Sequence, residues 1–343
     1  MKAVRIHEHG GPEVLRLDEV DEPIASRGQV LVRVLGVSIN HLDLWVRRGM
    51  PGFPVDFPRV LGCDGTGEIV AVGEGVTAFR PGQKVVLEPG YTVAGEEWDQ
   101  AGQDHLAPDY SIRGEHGDGF DVELVAIDAR YVFPLPDGLD PVQAAAVPLA
   151  FLTAWGMIDR AQLEAGETIL VLGAASGVGS AAVQIARHMG ARVLATAGTE
   201  GKRALACELG AEQAIDHYHE DWPKEVKRLT DGLGADVVVE HIGPATWAGS
   251  MRSLARLGRL VTCGGTTGPK VSIALPHLFM KNQSVLGSTM GPRTALPIIF
   301  DHVARGHYRP VVDSVVPMSA VRDAHEKLEA KGASGKIVLE PGK

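Results

Sequence analysis

Residues 171–203 read VLGAASGVGSAAVQIARHMGARVLATAGTEGKR, and they carry the clearest chemical signal in the chain. A strand-like run passes into a helix-like run through Ala174, Ala175, Ser176, Gly177, Val178 and Gly179. The small side chains among them let the backbone approach a pyrophosphate. A helix starting near Gly177 would turn its N–H groups and the positive end of its dipole toward it. A tight strand-to-helix turn without a ligand would use similar residues, but the strand, turn, helix, strand order points to dinucleotide binding.

The end of the second strand bears on which dinucleotide. NAD sites usually place an acid there for the ribose 2′-hydroxyl, whereas NADP sites avoid that charge and supply cations. Here Thr196, Ala197 and Gly198 close the strand, with Lys202 and Arg203 following, so NADP(H) is favoured over NAD(H). Glu200 works against that preference, and Lys202 and Arg203 would also suit a solvated helix face. Gly264, Gly265 and Thr266 follow a parallel strand's carboxyl end, where α/β sheets bind ligands, and are expected on the nicotinamide side.

These groups need a frame. The first 130 residues read as β-rich, with runs such as QVLVRVLGVS, TGEIVAVG and QKVVLEP punctuated by Gly and Pro. From Pro141 the texture changes to alternating helix and strand patterns. ETILVLG, ARVLAT, ADVVVEHIG, GRLVTCGG and QSVLGSTMG are expected as parallel strands buried on both faces. The tail returns to helices in PRTALPIIFDHVARG and MSAVRDAHEKLEAKG and a closing strand, GKIVLEP.

Bulk properties narrow the function. A chain of 343 residues suits two domains. A net charge of −10 argues against nucleic acid, since phosphate-backbone binders need clustered Lys and Arg. The start, MKAVRIHEHGG, has no apolar core of a signal peptide, and no apolar run reaches 18 residues, so a cytoplasmic protein with no membrane partner is expected. Cys63, Cys207 and Cys263 are too few and too scattered for a disulfide framework or a metal knuckle.

One segment resists this frame. Residues 89–110, PGYTVAGEEWDQAGQDHLAPDY, form a polar stretch without cysteine, longer than most loops in compact domains.

In combination, LGCDGTGEIVAVGEGVTAFRPGQKV, the segment Asn40–Asp43, AASGVG at Ala174–Gly179 and GRLVTCGG resemble the medium-chain dehydrogenase/reductase superfamily over essentially the whole chain. The resemblance implies an α/β fold. A Rossmann dinucleotide-binding domain, a doubly wound parallel sheet over 131–298, would join a GroES-like β-rich catalytic domain over 1–130 completed by 299–343, with the cleft between them. It also implies His41 at the cofactor pyrophosphate, and His217 where related reductases place a tyrosine near the adenosine phosphate.

The same resemblance puts Asn40, Cys63 and Leu149 where zinc members of the family carry their three catalytic ligands, so no zinc is expected. The 89–110 stretch resembles a structural-zinc lobe whose cysteine positions fall on Val93, Glu96, Asp99 and Ala107. Leu42 stands where alcohol dehydrogenases keep a proton-relaying hydroxyl.

Together these residues imply a zinc-independent NAD(P)H-dependent oxidoreductase acting on quinones, enones or related carbonyls. Asn40 would serve as amide donor to substrate or ribose, Asp43 would orient the cleft wall, and Cys63 and Asp64 would line the former metal site. An alcohol dehydrogenase with a non-standard metal site and a non-catalytic NADP(H)-binding sensor are the alternatives. Family habit and the apolar run QSVLGSTMG suggest a homodimer or homotetramer.

Overall fold

In the computed structural model, residues 1–50, 52–92 and 96–343 are described, apart from the Glu96 side chain. They divide into one unit of residues 1–149 and 292–343 and a second of residues 150–291.

The first unit is built on a seven-stranded mixed sheet. Its central strand, Gln29–Ser38, alternates Val30, Val32 and Val34 into a core shared with Ile69, Val85, Leu87 and Ile127. The C-terminal strand Lys336–Glu340 runs antiparallel to it, Val338 opposite Ser38 and Leu339 opposite Val37. One step further, Ile39 N–H donates to Ile337 C=O, which brings Lys336 alongside Asn40. Asn40 starts the helix His41–Arg48, and Asp43 reaches back to accept from the Asn40 N–H at 2.7 Å. Fully buried Arg47 holds this helix to the helix Val321–Glu329 by donating to Glu329 and pairing with His325 Nδ1 at 3.1 Å.

The division differs from the expected boundaries at 130/131 and 298/299. Residues 131–149 stay with the first unit because Val132–Pro134 pairs with Val85–Leu87. Thr66 Oγ1 also donates to Pro141 C=O at 2.7 Å. Residues 292–298 stay because the Arg293 N–H donates to Asp104 Oδ1 at 2.9 Å.

The second unit is a six-stranded parallel sheet in the order Gln213–Asp216, Arg192–Ala197, Thr168–Val171, Ala235–Glu240, Leu254–Thr262, Ser284–Gly287. Both faces are covered, so Ile169, Leu170, Val171, Val237, Val238 and Val239 are all fully buried, which is why these strands read as unbroken apolar runs. Strand order reverses between Thr168–Val171 and Ala235–Glu240, the point at which doubly wound sheets bind ligands. Sequence reading did not identify Gln213–Asp216 as a strand, because four residues with one fully buried position give almost no periodic signal.

The 89–110 stretch is not a structureless loop. Gly90–Tyr91 pairs with Ser111–Ile112, and a short helix, Glu96–Gln100, and a 3-10 turn, Asp104–Leu106, lie between.

Candidate functional site

In the second unit the strand Thr168–Val171 leads into the helix Gly177–His188 through Gly173–Ser176. Ser176 caps the helix, its Oγ accepting from the Gly179 N–H at 3.0 Å. A Cβ at Gly179 would lie 2.4 Å from Gly173 C=O, so only glycine lets helix and strand approach this closely. Ala174 and Ala175 are buried, and the Ala174 N–H is used on Thr196 C=O. Ser176, Gly177 and Val178 remain partly exposed at the helix N-terminus, where an anion is favoured.

Thr196 and Ala197 are buried at the end of the second strand. Thr196 Oγ1 accepts from the Gly173 N–H and pairs with His217 Nδ1 at 3.1 Å, so His217 does stand beside the second strand's end. Lys202 N–H donates to Thr199 Oγ1, the helix cap, and the Lys202 side chain is half-buried. Arg203 is a committed cation: its Nη1 donates to Asp216 Oδ2 at 2.7 Å. That corrects its reading as a group simply available to a phosphate.

Gly264, Gly265 and Thr266 follow the strand Leu254–Thr262. Thr266 is turned back onto the protein, its Oγ1 donating to His241 C=O at 3.1 Å. His241, which sequence reading missed, bridges the two strand ends where the order reverses: its Nε2 lies 2.8 Å from Leu172 C=O. Burial holds its pKa below the ordinary value, keeping the ring neutral. Beside it, buried Glu240 accepts from Ile242 N–H, Gly243 N–H, Thr246 Oγ1 and Ser250 Oγ, fixing the loop. An acid in the apolar ADVVVEHIG run was the available signal.

In the first unit, Asn40, Cys63 and Asp64 do converge, with Lys336 and Ser38 between them. Asn40 Nδ2 lies 2.9 Å from Asp64 Oδ2, 3.1 Å from Ser38 C=O and 3.2 Å from Cys63 Sγ. Its Oδ1 accepts from Lys336 Nζ. Two N–H groups facing three protein acceptors leave none for a substrate oxygen, so Asn40 is a strut, which corrects its expected role as substrate donor.

Asp64 is equally committed. Oδ2 accepts from Ser38 Oγ at 2.7 Å and from Lys336 Nζ at 3.2 Å, and Oδ1 accepts from Leu149 N–H at 2.6 Å. Asp43 grips the next loop, accepting from Gly62 N–H at 3.1 Å, and burial pushes its carboxyl up to about 6. Asp121, against Gly62, is also pushed well up by burial. His41, first in its helix, is partly exposed. A lysine opening the apolar run KIVLE was the sequence signal for Lys336.

An alcohol dehydrogenase GroES-like domain model matches residues 26–137, and a zinc-binding dehydrogenase model matches residues 177–305. The chain is 30% identical to human quinone oxidoreductase over 352 residues, covering 99% of this chain and 97% of that one. Against the quinone oxidoreductase of Lama guanicoe the figures are 33% over 350 residues, with 99% and 97% covered. A crystal structure of an NAD-dependent alcohol dehydrogenase is 42% identical at a TM-score of 0.94, with 99% of each chain covered. The chain belongs to the medium-chain dehydrogenase/reductase superfamily. It is an oxidoreductase of a family that binds nicotinamide dinucleotides, and the turn at Gly173–Gly179 fits such a cofactor.

Members of this superfamily that use catalytic zinc need three ligands with an open fourth position. The residues here do not fit that ion. Leu149 offers no ligand atom, and the Asn40 oxygen is held by the Lys336 ammonium. Cys63 offers a single thiol, and its sulfur already faces Asn40 Nδ2 at 3.2 Å. Among the described residues, no triple of His, Cys, Asp or Glu that includes Cys63 or Asp64 brings its ligand atoms within 4.8 Å.

The 89–110 lobe has a different staple. Val93 lies outside the described residues, as does the Glu96 side chain. Asp99 faces Arg293 Nη2 at 3.3 Å, and Ala107 is buried. The Arg113 guanidinium lies over the Tyr91 ring at 4.8 Å and near Phe120 and Tyr131, with Arg130 over Tyr131 at 4.7 Å.

Proposed function

We propose that the chain is a zinc-independent reductase that prefers NADP(H) and delivers hydride to quinones, enones or related carbonyls. The observation that carries this reading is the Lys336 ammonium held between Asn40 Oδ1 and Asp64 Oδ2, a protein cation among the groups that would otherwise face a metal. The bound nicotinamide supplies the hydride. Asn40, Asp64, Ser38 and Lys336 form a closed polar wall that offers no Lewis acid to an alkoxide. An acceptor that spreads its own developing charge needs least from such a wall, which favours conjugated carbonyls over simple ketones.

NADP(H) preference is supported by the absence of an acid at Gly198 and by Lys202 on the following helix, whereas Arg203 on that helix is paired with Asp216. A second reading, NAD-linked alcohol oxidation, draws on the 42% identity to an NAD-dependent alcohol dehydrogenase. A homodimer is supported by the strand Ser284–Gly287, which ends the sheet in this chain, and by the neighbouring exposed Leu275, Phe279 and Met280. Light scattering giving one chain per particle would remove it. A cytoplasmic site is supported by three unpaired cysteines, and no helix among the described residues is long and apolar enough to cross a membrane.

Metal analysis of protein purified without chelator tests the main reading. Zinc far below one equivalent supports it, and one tightly held equivalent together with EDTA-sensitive alcohol oxidation supports the second.

A further inference from the structure

The adenosine end of the Rossmann unit carries its own balance of charge. Ala197, closing the second strand, lies opposite Asp216, closing the third, in parallel register. In this fold the adenosine ribose sits at the end of the second strand, so Asp216 stands one strand over at the same height. Its Oδ2 accepts from Arg203 Nη1 at 2.7 Å and faces His219 Nδ1 at 3.2 Å, while Oδ1 accepts from the N–H groups of Tyr218 and His219 at 2.9 and 3.2 Å. The Tyr218 N–H and these partners hold the carboxyl down at about 2, so it stays charged across the working pH range.

The position usually read for cofactor choice is constrained by something other than charge. A Cβ at Gly198 would lie 2.2 Å from the Tyr218 ring, which stacks edge-on against His217 with centroids 4.4 Å apart. A side chain there would need the exposed Tyr218 ring to swing aside, so packing as well as cofactor charge bears on the missing acid. Discrimination passes to the next charged pair.

We propose that Asp216 is the specificity-determining residue of the cofactor site: by pairing with Arg203 it withholds from the ribose edge the positive charge that a 2′-phosphate requires, and so keeps the enzyme's NADP(H) preference modest. This rests on the dinucleotide reading above and deepens it. The Arg203–Asp216 pair is net neutral, so it gives a dianionic phosphate no electrostatic reward, and the carboxylate repels it. Removing only the carboxylate charge releases a full positive charge beside the ribose.

The test is direct titration of the full-length protein with NADPH and NADH, followed by nucleotide fluorescence, for the native chain, Asp216→Asn, Arg203→Ala and the double variant. Asp216→Asn is expected to raise the NADPH-to-NADH affinity ratio about tenfold, the scale of one charge acting at partly exposed range. Arg203→Ala alone, which leaves the Asp216 carboxylate unpaired beside the ribose, is expected to lower the ratio by a similar factor, and the double variant, again without net charge there, to return it to near the native value. An unchanged or lowered ratio in Asp216→Asn, or an unchanged or raised ratio in Arg203→Ala alone, overturns the proposal while leaving nucleotide binding intact. Failure of the native chain to bind either nucleotide would overturn the dinucleotide reading and the proposal with it. Asp216→Ser, which keeps an acceptor for the Tyr218 N–H, carries the same expectation should the Asn variant fail to fold.

Discussion

Lys336 Nζ lies 3.2 Å from Asp64 Oδ2, and both side chains are buried, at 6% and 0% exposure. They come from opposite ends of the chain and meet because the last strand pairs with the strand that ends at Ser38.

Breaking this pair from one side should be expensive. Lys336→Met leaves Asp64 charged and buried, and a loss of about 3–5 kcal/mol in unfolding free energy is expected. Urea denaturation of Lys336→Met beside Lys336→Met/Asp64→Asn checks it, with the double variant recovering part of the loss. Equal stability in all three would mean the pair carries no charge in the folded protein.

Glu115 gives a pH signature of unusual sign. Burial raises its carboxyl from the ordinary 4.5 to about 7, so between those values the folded chain binds the proton and the unfolded chain does not. The stabilisation is present in full below the unfolded value and is lost as pH rises toward 7. Against a Glu115→Gln control, the native protein should lose about 1–3 kcal/mol between pH 4.5 and 8. Melting curves across that range measure it, and a parallel pH dependence in both proteins would contradict it.

Gly179 tests the cofactor cradle. Gly179→Ala forces a Cβ to 2.4 Å from the Gly173 oxygen, which must push the turn apart. Nucleotide affinity should fall at least about tenfold, with a stability loss of about 1–3 kcal/mol. Native-like nucleotide affinity in this variant would place the phosphates elsewhere.

Arg293 tests the reading of residues 89–110 as a lobe that holds no metal. Arg293→Ala removes the cation facing Asp99. Limited proteolysis should then cut within residues 96–110 faster than in the native protein, while added zinc leaves the rate unchanged. Protection by zinc would show that the lobe still takes a metal.

Much of the Rossmann unit was legible because its strands are buried on both faces, and buried runs such as TILV and ADVVVE announce themselves. The phosphate turn was legible because close approach demands glycine at 179, a requirement visible as residue type. What escaped reading were relationships made by strand register and packing. Asn40 reads as a free amide until Lys336, almost 300 residues away, is seen to hold its oxygen. Arg203 reads as a phosphate ligand until the short strand ending at Asp216 is in place. Gly198 reads as an absent acid, and only the structure shows the Tyr218 ring packed against it.

Hydride transfer without zinc is decided by steady-state oxidation of NADPH with 1,4-benzoquinone, and separately with an enone, before and after exhaustive EDTA treatment, alongside alcohol oxidation with NAD+ and NADP+. Quinone or enone reduction that EDTA leaves unchanged, with weak alcohol oxidation, is expected. Alcohol oxidation abolished by EDTA and restored by zinc would contradict it.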